Sequence, residues 1–499
     1  MKMYWKIIIL LTIYGMILSF TFTFRTINAD EGTHLMISLF IKDLSQYILN
    51  NGVSGAYKFG TNYLVYYPKI TIYYPPLYHF IVSLFFNIIV SEYVAKLVTL
   101  LFALGTIFFT YKVGEEIFDR KIGFVSAAIL ALSPVMFILG TSVLVDMSAF
   151  FFFMLTLFFY IKSFKSGKRI HFILSGISLA FGILTKWQVV PIVAILILYL
   201  IIERKKIKIK ILKNFILSLI IAGLILCPYF FVIYKLDIIN LVLSGPISAG
   251  YREKDPQFTS IEGWLWYPSA LLNQLTPIIA IPALLLLILF IIKRERNWKL
   301  ILLWFLLFYI IFTIIPNKDE RFIIPYLPAV IFPLAFRLEK NQKKNFIILL
   351  IVIIGLECLY ALYYLPLYHY PVKEIAEYVY ENKIGNVAFV SEGKIYSSAF
   401  MFHIAQLDKE RTIQVFRPCA FYYKNETQIQ QFLKENNIYY LVLTDDQNEL
   451  EDFSRFKNVT LVKEFEHAKL YSFNLYDGKS DKKCNHICLT EEEICYNNI

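Results

Sequence analysis

Uncharged apolar runs recur through the first three quarters of the chain, at residues 7–24, 122–145, 214–234 and 263–292. Each is near or above the ~20 residues that cross a bilayer as a helix. The pattern predicts about eleven spans, at 7–24, 93–111, 122–140, 147–161, 170–185, 187–202, 212–234, 275–292, 300–316, 322–337 and 345–363. The run Leu77–Val90 is shorter and follows Pro75-Pro76, which predicts an interfacial or re-entrant helix. After residue 363 the pattern changes. Val372–Asn382 and Thr427–Glu435 read as helices, and Val387–Val390, Ile413–Phe416, Tyr439–Leu443, Val459–Glu464 and Lys469–Asn474 as strands. Such alternation predicts a small α/β sheet.

Composition excludes a water-soluble globule: 58% of the 499 residues are hydrophobic and 17% charged, where soluble chains carry about 25% charged. The net charge of +11 is concentrated in the membrane part, with 34 Lys+Arg against 18 Asp+Glu up to Tyr363, and 15 against 20 afterwards. If Leu77–Val90 does not cross, 23 of those 34 cations fall on one side, in Lys2/Lys6, Lys112/Arg120/Lys121, Lys162–Arg169, Arg204–Lys213, Lys293–Lys299 and Arg337–Lys344. Short basic loops mark the cytoplasmic side, so the charge reads as topology and not as a nucleic-acid signal.

The opposite face then receives the first loop, a tight loop at Asp146, the Lys186-Trp187 turn, a loop from Lys235 to Gln274, the turn Asn317–Arg321 and the C-terminal domain. The expected organisation is a transmembrane domain over 1–365 whose first outer loop, 25–92, carries juxtamembrane helices. An extracytoplasmic small α/β domain over 366–476 and a polar Cys-containing tail over 477–499 follow. Asn425-Glu-Thr and Asn458-Val-Thr fit glycosylation acceptors on that side. The first run could instead be a signal peptide cleaved near Asn28-Ala29, although it is long for a signal core. In the tail, Cys484, Cys488 and Cys495 flank His486, at spacings open to zinc, a disulfide or unpaired thiols.

Candidate chemistry lies at the outer helix ends. Asp30-Glu31 directly follows the first span, and Asp146 breaks an uncharged stretch from Ile122 to Ile161. Ionisable groups at a membrane boundary are costly to desolvate and point to function when they face a cavity. The bland alternatives are loop acids beside a helix starting near His34, and a capping residue at Asp146. A carboxylate in a partly dry cleft can take a proton from a nucleophile, and a second can hold an acceptor or a metal. Cations share this face: Lys186, Arg252, Lys254, Lys318 and Arg321. They suit a phosphate, or they snorkel and pair locally. Outer aromatic residues, Tyr74 and Trp264 among them, can stack on sugars or polyprenyl tails or form the interfacial belt.

In order and spacing, Asp30-Glu31, Tyr73-Tyr-Pro-Pro-Leu77, Gly114-Glu-Glu-Ile-Phe-Asp-Arg-Lys-Ile-Gly123, Leu132-Ser-Pro134, Asp146, Gly182-Ile-Leu-Thr-Lys186 and Arg321-Phe-Ile-Ile-Pro-Tyr-Leu-Pro328 resemble the GT-C membrane glycosyltransferases. The branch most similar is the protein O-mannosyltransferase and aminoarabinose transferase group. The resemblance runs from about residue 5 to 365. It implies sugar transfer, with inversion, from a polyprenyl-phosphate (dolichyl-type) donor to a protein, glycan or lipid acceptor outside the cytoplasm. By position it implies Asp30 as general base, Glu31 assisting, and Asp146 binding acceptor or organising the base. Lys186 and Arg321 would lie at the donor phosphate, with His34, Tyr74 and Trp264 lining the substrate. No metal is required under this expectation, although two acids could bind one. The alternative function is a multi-pass transporter or lipid flippase, whose coupling acids belong at the midplane; there Glu357 is the main example.

Overall fold

The computed structural model describes residues 2–68, 74–206, 208–240, 250–251, 254–340, 371–390, 397–416, 433–434, 438–444, 459–473, 484–487 and 492–495. The expected span 345–363, Arg252, Glu357, both glycosylation acceptors, Cys488 and most of Thr427–Glu435 lie outside the described residues. By contacts the chain divides into two units.

The first unit, residues 1–22, 73–78 and 96–366, is helical. Among the described residues six helices are long and apolar enough to cross a membrane, or seven if a bent pair counts as one span. They include α1 (Lys2–Thr21), α5 (Glu92–Ile117), α8 (Val145–Ser166), α11 (Ile209–Lys235) and α12 (Ile261–Ile292). The shorter apolar helices are α4 (Leu77–Phe86), α9 (Arg169–Ile183), α10 (Pro191–Ile202) and α13 (Trp298–Ile314). Helix α14 (Leu327–Lys340) follows a 3-10 turn, Glu320–Tyr326. Side chains such as Phe20, Leu224, Leu285 and Ile288 are exposed. In water that surface would be a liability, whereas hydrocarbon solvates it. This is a multi-pass membrane protein.

Two expected elements differ in detail. The span over 122–140 is broken into α6 (Arg120–Ala131) and α7 (Pro134–Gly140), bent by 66°, because proline disfavours helical backbone at Ser133 and lacks an N–H of its own. The loop expected up to Gln274 is helical from Ile261, with Ser260 accepting from Gly263 N as its cap. The break falls instead at Thr276, whose φ of 59° precedes Pro277.

The basic helix ends are bonded to one another. Lys121 meets Glu339 at 2.7 Å and Lys165 meets Glu116 at 2.9 Å. Arg296 Nη1 donates to Phe118 O at 3.2 Å, Asn297 Nδ2 to Ile117 O at 2.7 Å, and Lys340 bonds Glu295 at 3.2 Å. Helix α8 has 22 residues, so at 1.5 Å per residue its ends lie roughly 30 Å apart. Lys165 is at the bonded basic end and Asp146 at the other.

The second unit comprises residues 23–72, 79–95 and 367–499. It joins α2 (Ala29–Asn51) and α3 (Ala56–Tyr66) to a five-stranded sheet of order β2-β1-β3-β5-β4. The strands are β1 (Val387–Val390), β2 (Val415–Phe416), β3 (Tyr440–Thr444), β4 (Val459–Phe465) and β5 (Ala468–Phe473). Strands β1, β2 and β3 are parallel, and β5 runs antiparallel to both β3 and β4. Helix α15 (Val372–Glu381) precedes β1, and α16 (Ser397–Leu407), which the polar pattern did not single out, follows it. The tail read as polar contains a hairpin, β6 (Cys484–Ile487) with β7 (Glu492–Cys495), whose register sets Cys484 opposite Cys495.

Candidate active site

The acidic pair opens α2. Asn28 Oδ1 accepts from Glu31 N at 2.9 Å while Glu31 Oε2 accepts from Asn28 N at 2.8 Å, a capping box. The helix therefore begins at Ala29, five residues before His34. Glu31 is buried and meets Arg25 Nη2 at 3.3 Å. Asp30, one residue earlier, is exposed in the first turn, where the helix dipole favours negative charge. The two carboxylates are thus divided: Glu31 fixes the turn, and Asp30 faces outward.

Behind the turn the backbone of α16 lies against Gly32. A Cβ there would stand 2.4 Å from Ala399 N and 2.7 Å from Ser398 C. One turn along α2, His34 Nδ1 lies 2.8 Å from His79 Nε2 with the rings stacked at 5.0 Å, both buried. Such a bond requires one ring to donate and the other to accept. His403 of α16 stands 3.7 Å from Glu92.

The other expected residues belong to the first unit. Asp146 is buried in the first turn of α8, and its Oδ1 accepts from Lys186 Nζ at 2.6 Å. Lys186 follows α9, and its ammonium lies 4.9 Å from the centre of the Phe322 ring. Arg321 donates to Asp319 Oδ2 through Nε at 2.8 Å and Nη2 at 2.5 Å. Asp319 Oδ1 caps the 3-10 turn by accepting from Arg321 N at 2.8 Å. Burial pushes the Asp319 carboxyl up, but the Arg321 guanidinium and then the Lys186 ammonium outweigh it and hold it below its ordinary value. The structure therefore gathers Asp146, Lys186, Asp319 and Arg321 into one charged cluster.

Lys318 donates to the carbonyls of Phe312 at 3.0 Å and Thr313 at 2.6 Å, and to Ile315 O, at the end of α13. Burial pushes its ammonium down to about 8, against the pull of Asp255. Trp264 is partly exposed, its Nε1 donating to Phe258 O at 2.8 Å. Tyr74 is half-buried and Lys254 exposed. Among the described residues no group of three or more His, Cys, Asp or Glu converges as metal ligands would.

Sequence reasoning missed Arg25 and His79, whereas pairing of Lys186 and Arg321 with Asp319 or Glu320 was its alternative to a phosphate site. His79 carried a signal, as a titratable residue inside the apolar run Leu77–Phe86. Asn28-x-x-Glu31 was itself a capping-box signature.

Residues 74–231 match the family model described as dolichyl-phosphate-mannose-protein mannosyltransferase. No curated protein sequence matches the chain. Among solved structures, ArnT from Cupriavidus metallidurans bound to undecaprenyl phosphate is similar at a TM-score of 0.65 and 13% identity, over 95% of this chain and 99% of that one. The oligosaccharyltransferase of Archaeoglobus fulgidus, tethered with an acceptor peptide containing an NVT sequon, is similar at 0.57 and 12%, over 89% and 69%. The archaeal oligosaccharyltransferase AglB from Archaeoglobus fulgidus, in complex with an inhibitory peptide and a dolichol-phosphate, is similar at 0.51 and 11%, over 89% and 70%. The matched family and these neighbours are glycosyltransferases. The chain has the fold of the GT-C membrane glycosyltransferases, and residues 74–231 carry the sequence likeness to the mannosyltransferase family.

Proposed function

We propose that this protein transfers a sugar from a polyprenyl-phosphate donor, of dolichyl or related type, to an acceptor on the non-cytoplasmic side, with inversion at the anomeric carbon. The observation that carries the reading is the likeness of fold, across 95% of the chain, to an ArnT structure bound to undecaprenyl phosphate. The family match over 74–231 supports a lipid-linked sugar as donor.

In this reading Asp30 takes the proton of the acceptor's nucleophile, which attacks the anomeric carbon on the face opposite the lipid phosphate. The bond from that carbon to the phosphate oxygen breaks, and the lipid phosphate leaves as an anion. Lys186 and Arg321 hold that anion, each moving from its carboxylate partner towards phosphate oxygens. Asp146 organises Lys186, and Glu31 shapes the turn that presents Asp30. His34, Tyr74 and Trp264 are assigned to substrate contact. The sidedness rests on the bonded basic loops, because short Lys/Arg-rich loops stay in the cytoplasm.

The test uses membranes carrying wild type or Asp30→Asn, a radiolabelled polyprenyl-phosphate sugar and a mixed acceptor extract. Donor-dependent labelling that falls roughly 10²- to 10⁴-fold in Asp30→Asn is expected. Equal labelling by both removes Asp30 as base. Absence of labelling with several donors sinks the transferase reading and favours a transporter or flippase.

A further inference from the structure

The second unit holds a cleft, away from the acidic turn, that the proposed mechanism does not use. Its volume is about 280 Å³, and its walls are Tyr47 of α2, Lys58, Phe59, Asn62 and Tyr66 of α3, and Glu410 with Arg411 beyond α16. Lys58, Asn62 and Tyr66 follow one another at the four-residue spacing that puts them on one helix face.

The cleft is built from rigid parts. The Tyr47 and Phe59 rings are stacked with centroids 4.7 Å apart. Gly55 makes room for this, since a Cβ at that position would meet Tyr47 Oη at 2.1 Å. Arg411 packs its guanidinium 4.2 Å from the Tyr63 ring centre and 5.3 Å from that of Phe59. It is tied to Asp43 at 3.2 Å, and Asp43 also accepts from Tyr63 Oη at 3.1 Å. Arg411 has a φ of 54°, a conformation that a side-chain-bearing residue holds only where its surroundings over-determine it. Asn62 Oδ1 is buried and has no hydrogen-bond partner among the described residues. A buried unmatched amide is uncommon enough to call for an explanation.

We propose that this cleft binds a neutral sugar residue, as a recognition subsite for a glycan acceptor; the acceptor role, though not the binding, rests on the glycosyltransferase reading above. Three features select a sugar. Tyr47, held in place by stacking one face on Phe59, and Tyr66 line the cleft, and the negative face of an aromatic ring suits the weakly positive C–H face of a pyranose. Asn62 and Glu410 supply acceptors, and Lys58 and the Asn62 amide nitrogen supply donors, in the mixture that hydroxyl groups use. No lining cation is left to dominate, since Glu410 lines the cleft together with Lys58 and Arg411 is bonded to Asp43, which Lys42 also meets at 3.1 Å; an anion site would present a cation without such a partner. The volume lies near the lower end of the ~300–1,000 Å³ usual for small-molecule sites, which fits a single sugar unit.

The experiment is saturation-transfer NMR on the purified full-length protein in detergent, with methyl α-mannoside, methyl α-glucoside, the methyl glycoside of N-acetylglucosamine, and mannotriose as probes. At least one should give a saturable signal. Phe59→Ala and Asn62→Ala should each weaken it by about tenfold, a change of the size that one lost contact makes, with the melting temperature of Asn62→Ala kept near wild type. No saturable signal from any probe, or unchanged affinity in both variants, overturns the proposal. Displacement of the sugar by phosphatidylglycerol but by no other sugar also overturns it, in favour of a lipid headgroup. Sugar binding without donor-dependent transfer would remove the transferase reading and leave the cleft. Transfer with an unaltered acceptor KM in both variants would do the reverse.

Discussion

Lys186 Nζ and Asp146 Oδ1 stand 2.6 Å apart although 40 positions separate them in the chain, with Asp146 buried and Lys186 only 11% exposed. Breaking such a pair by removing one partner leaves a buried charge uncompensated, at a cost of about 3–5 kcal/mol, whereas replacing both by apolar groups of similar volume is often near neutral. Lys186→Met and Asp146→Leu should each lower the unfolding midpoint in detergent, and the double variant should recover most of the loss. Additive losses would show that the pair is not coupled. Transfer activity should stay low in all three, because the proposed phosphate contact is missing or misplaced.

Asp319 gives a pH dependence whose sign follows from its neighbours. Its folded carboxyl lies below the ordinary value because Arg321 and Lys186 outweigh burial. The stability it adds is therefore fully present above the unfolded value of about 3.9 and is lost as pH falls through the folded one. In Arg321→Met the dominant favourable charge is gone and burial acts against a weaker pull, so the folded carboxyl moves up towards the unfolded value and the loss of stability on acidification should shrink. Melting curves between roughly pH 3 and 6 decide this: superimposable profiles for wild type and Arg321→Met would falsify the assignment.

Asp30 and Glu31 are adjacent but should respond differently. Glu31→Gln weakens a buried bond to Arg25 and the reciprocal half of the capping box, so it should cost about 1–3 kcal/mol. Asp30→Asn, at an exposed position, should leave stability within about 0.5 kcal/mol of wild type while lowering transfer by the roughly 10²- to 10⁴-fold expected for a lost base. A stable Glu31→Gln paired with an unfolded Asp30→Asn would reverse the division of labour drawn above.

Gly32→Ala places a methyl group 2.4 Å from the backbone nitrogen of Ala399, and a backbone atom cannot rotate away as a side chain can. Overpacking of this kind costs about 1–3 kcal/mol or more. Limited proteolysis should cleave the variant near Ser397–Leu407 at a protease level that spares wild type. Equal resistance would mean that the two helices can separate without loss.

Much of this architecture was legible because it follows from periodicity. The strand Val387–Val390 is a short β-rich run with both ends marked, and it forms over those same residues. Asp146 stood out as one charge in an apolar stretch, and it opens a helix there. What the pattern could not supply depended on neighbours remote in sequence. Helix Ser397–Leu407 is buried at Phe400, Met401, Phe402 and Ile404 and has Ser397, Ser398, His403 and Gln406 scattered round it, so it shows no amphipathic stripe to betray it. Pairing of Lys186 and Arg321 with Asp319 was open from the sequence as an alternative, but the order in which the two cations act on that carboxyl is decided only once the chain has packed. Thr276 needed local reasoning of another kind: the proline after it marks a break that a hydropathy window smooths over.

The close approach at Gly32 carries a consequence for how such a protein can change over time. Because the main chain of residues 398 and 399 touches the helical turn that bears Asp30, the globular C-terminal part is no detachable cargo module. A graft from another source would arrive with a different surface at that joint and would tilt the turn that presents Asp30, the base proposed above. Substitution in the C-terminal part should therefore be tolerated best at the sheet edges and loops far from α16, and least at this seam.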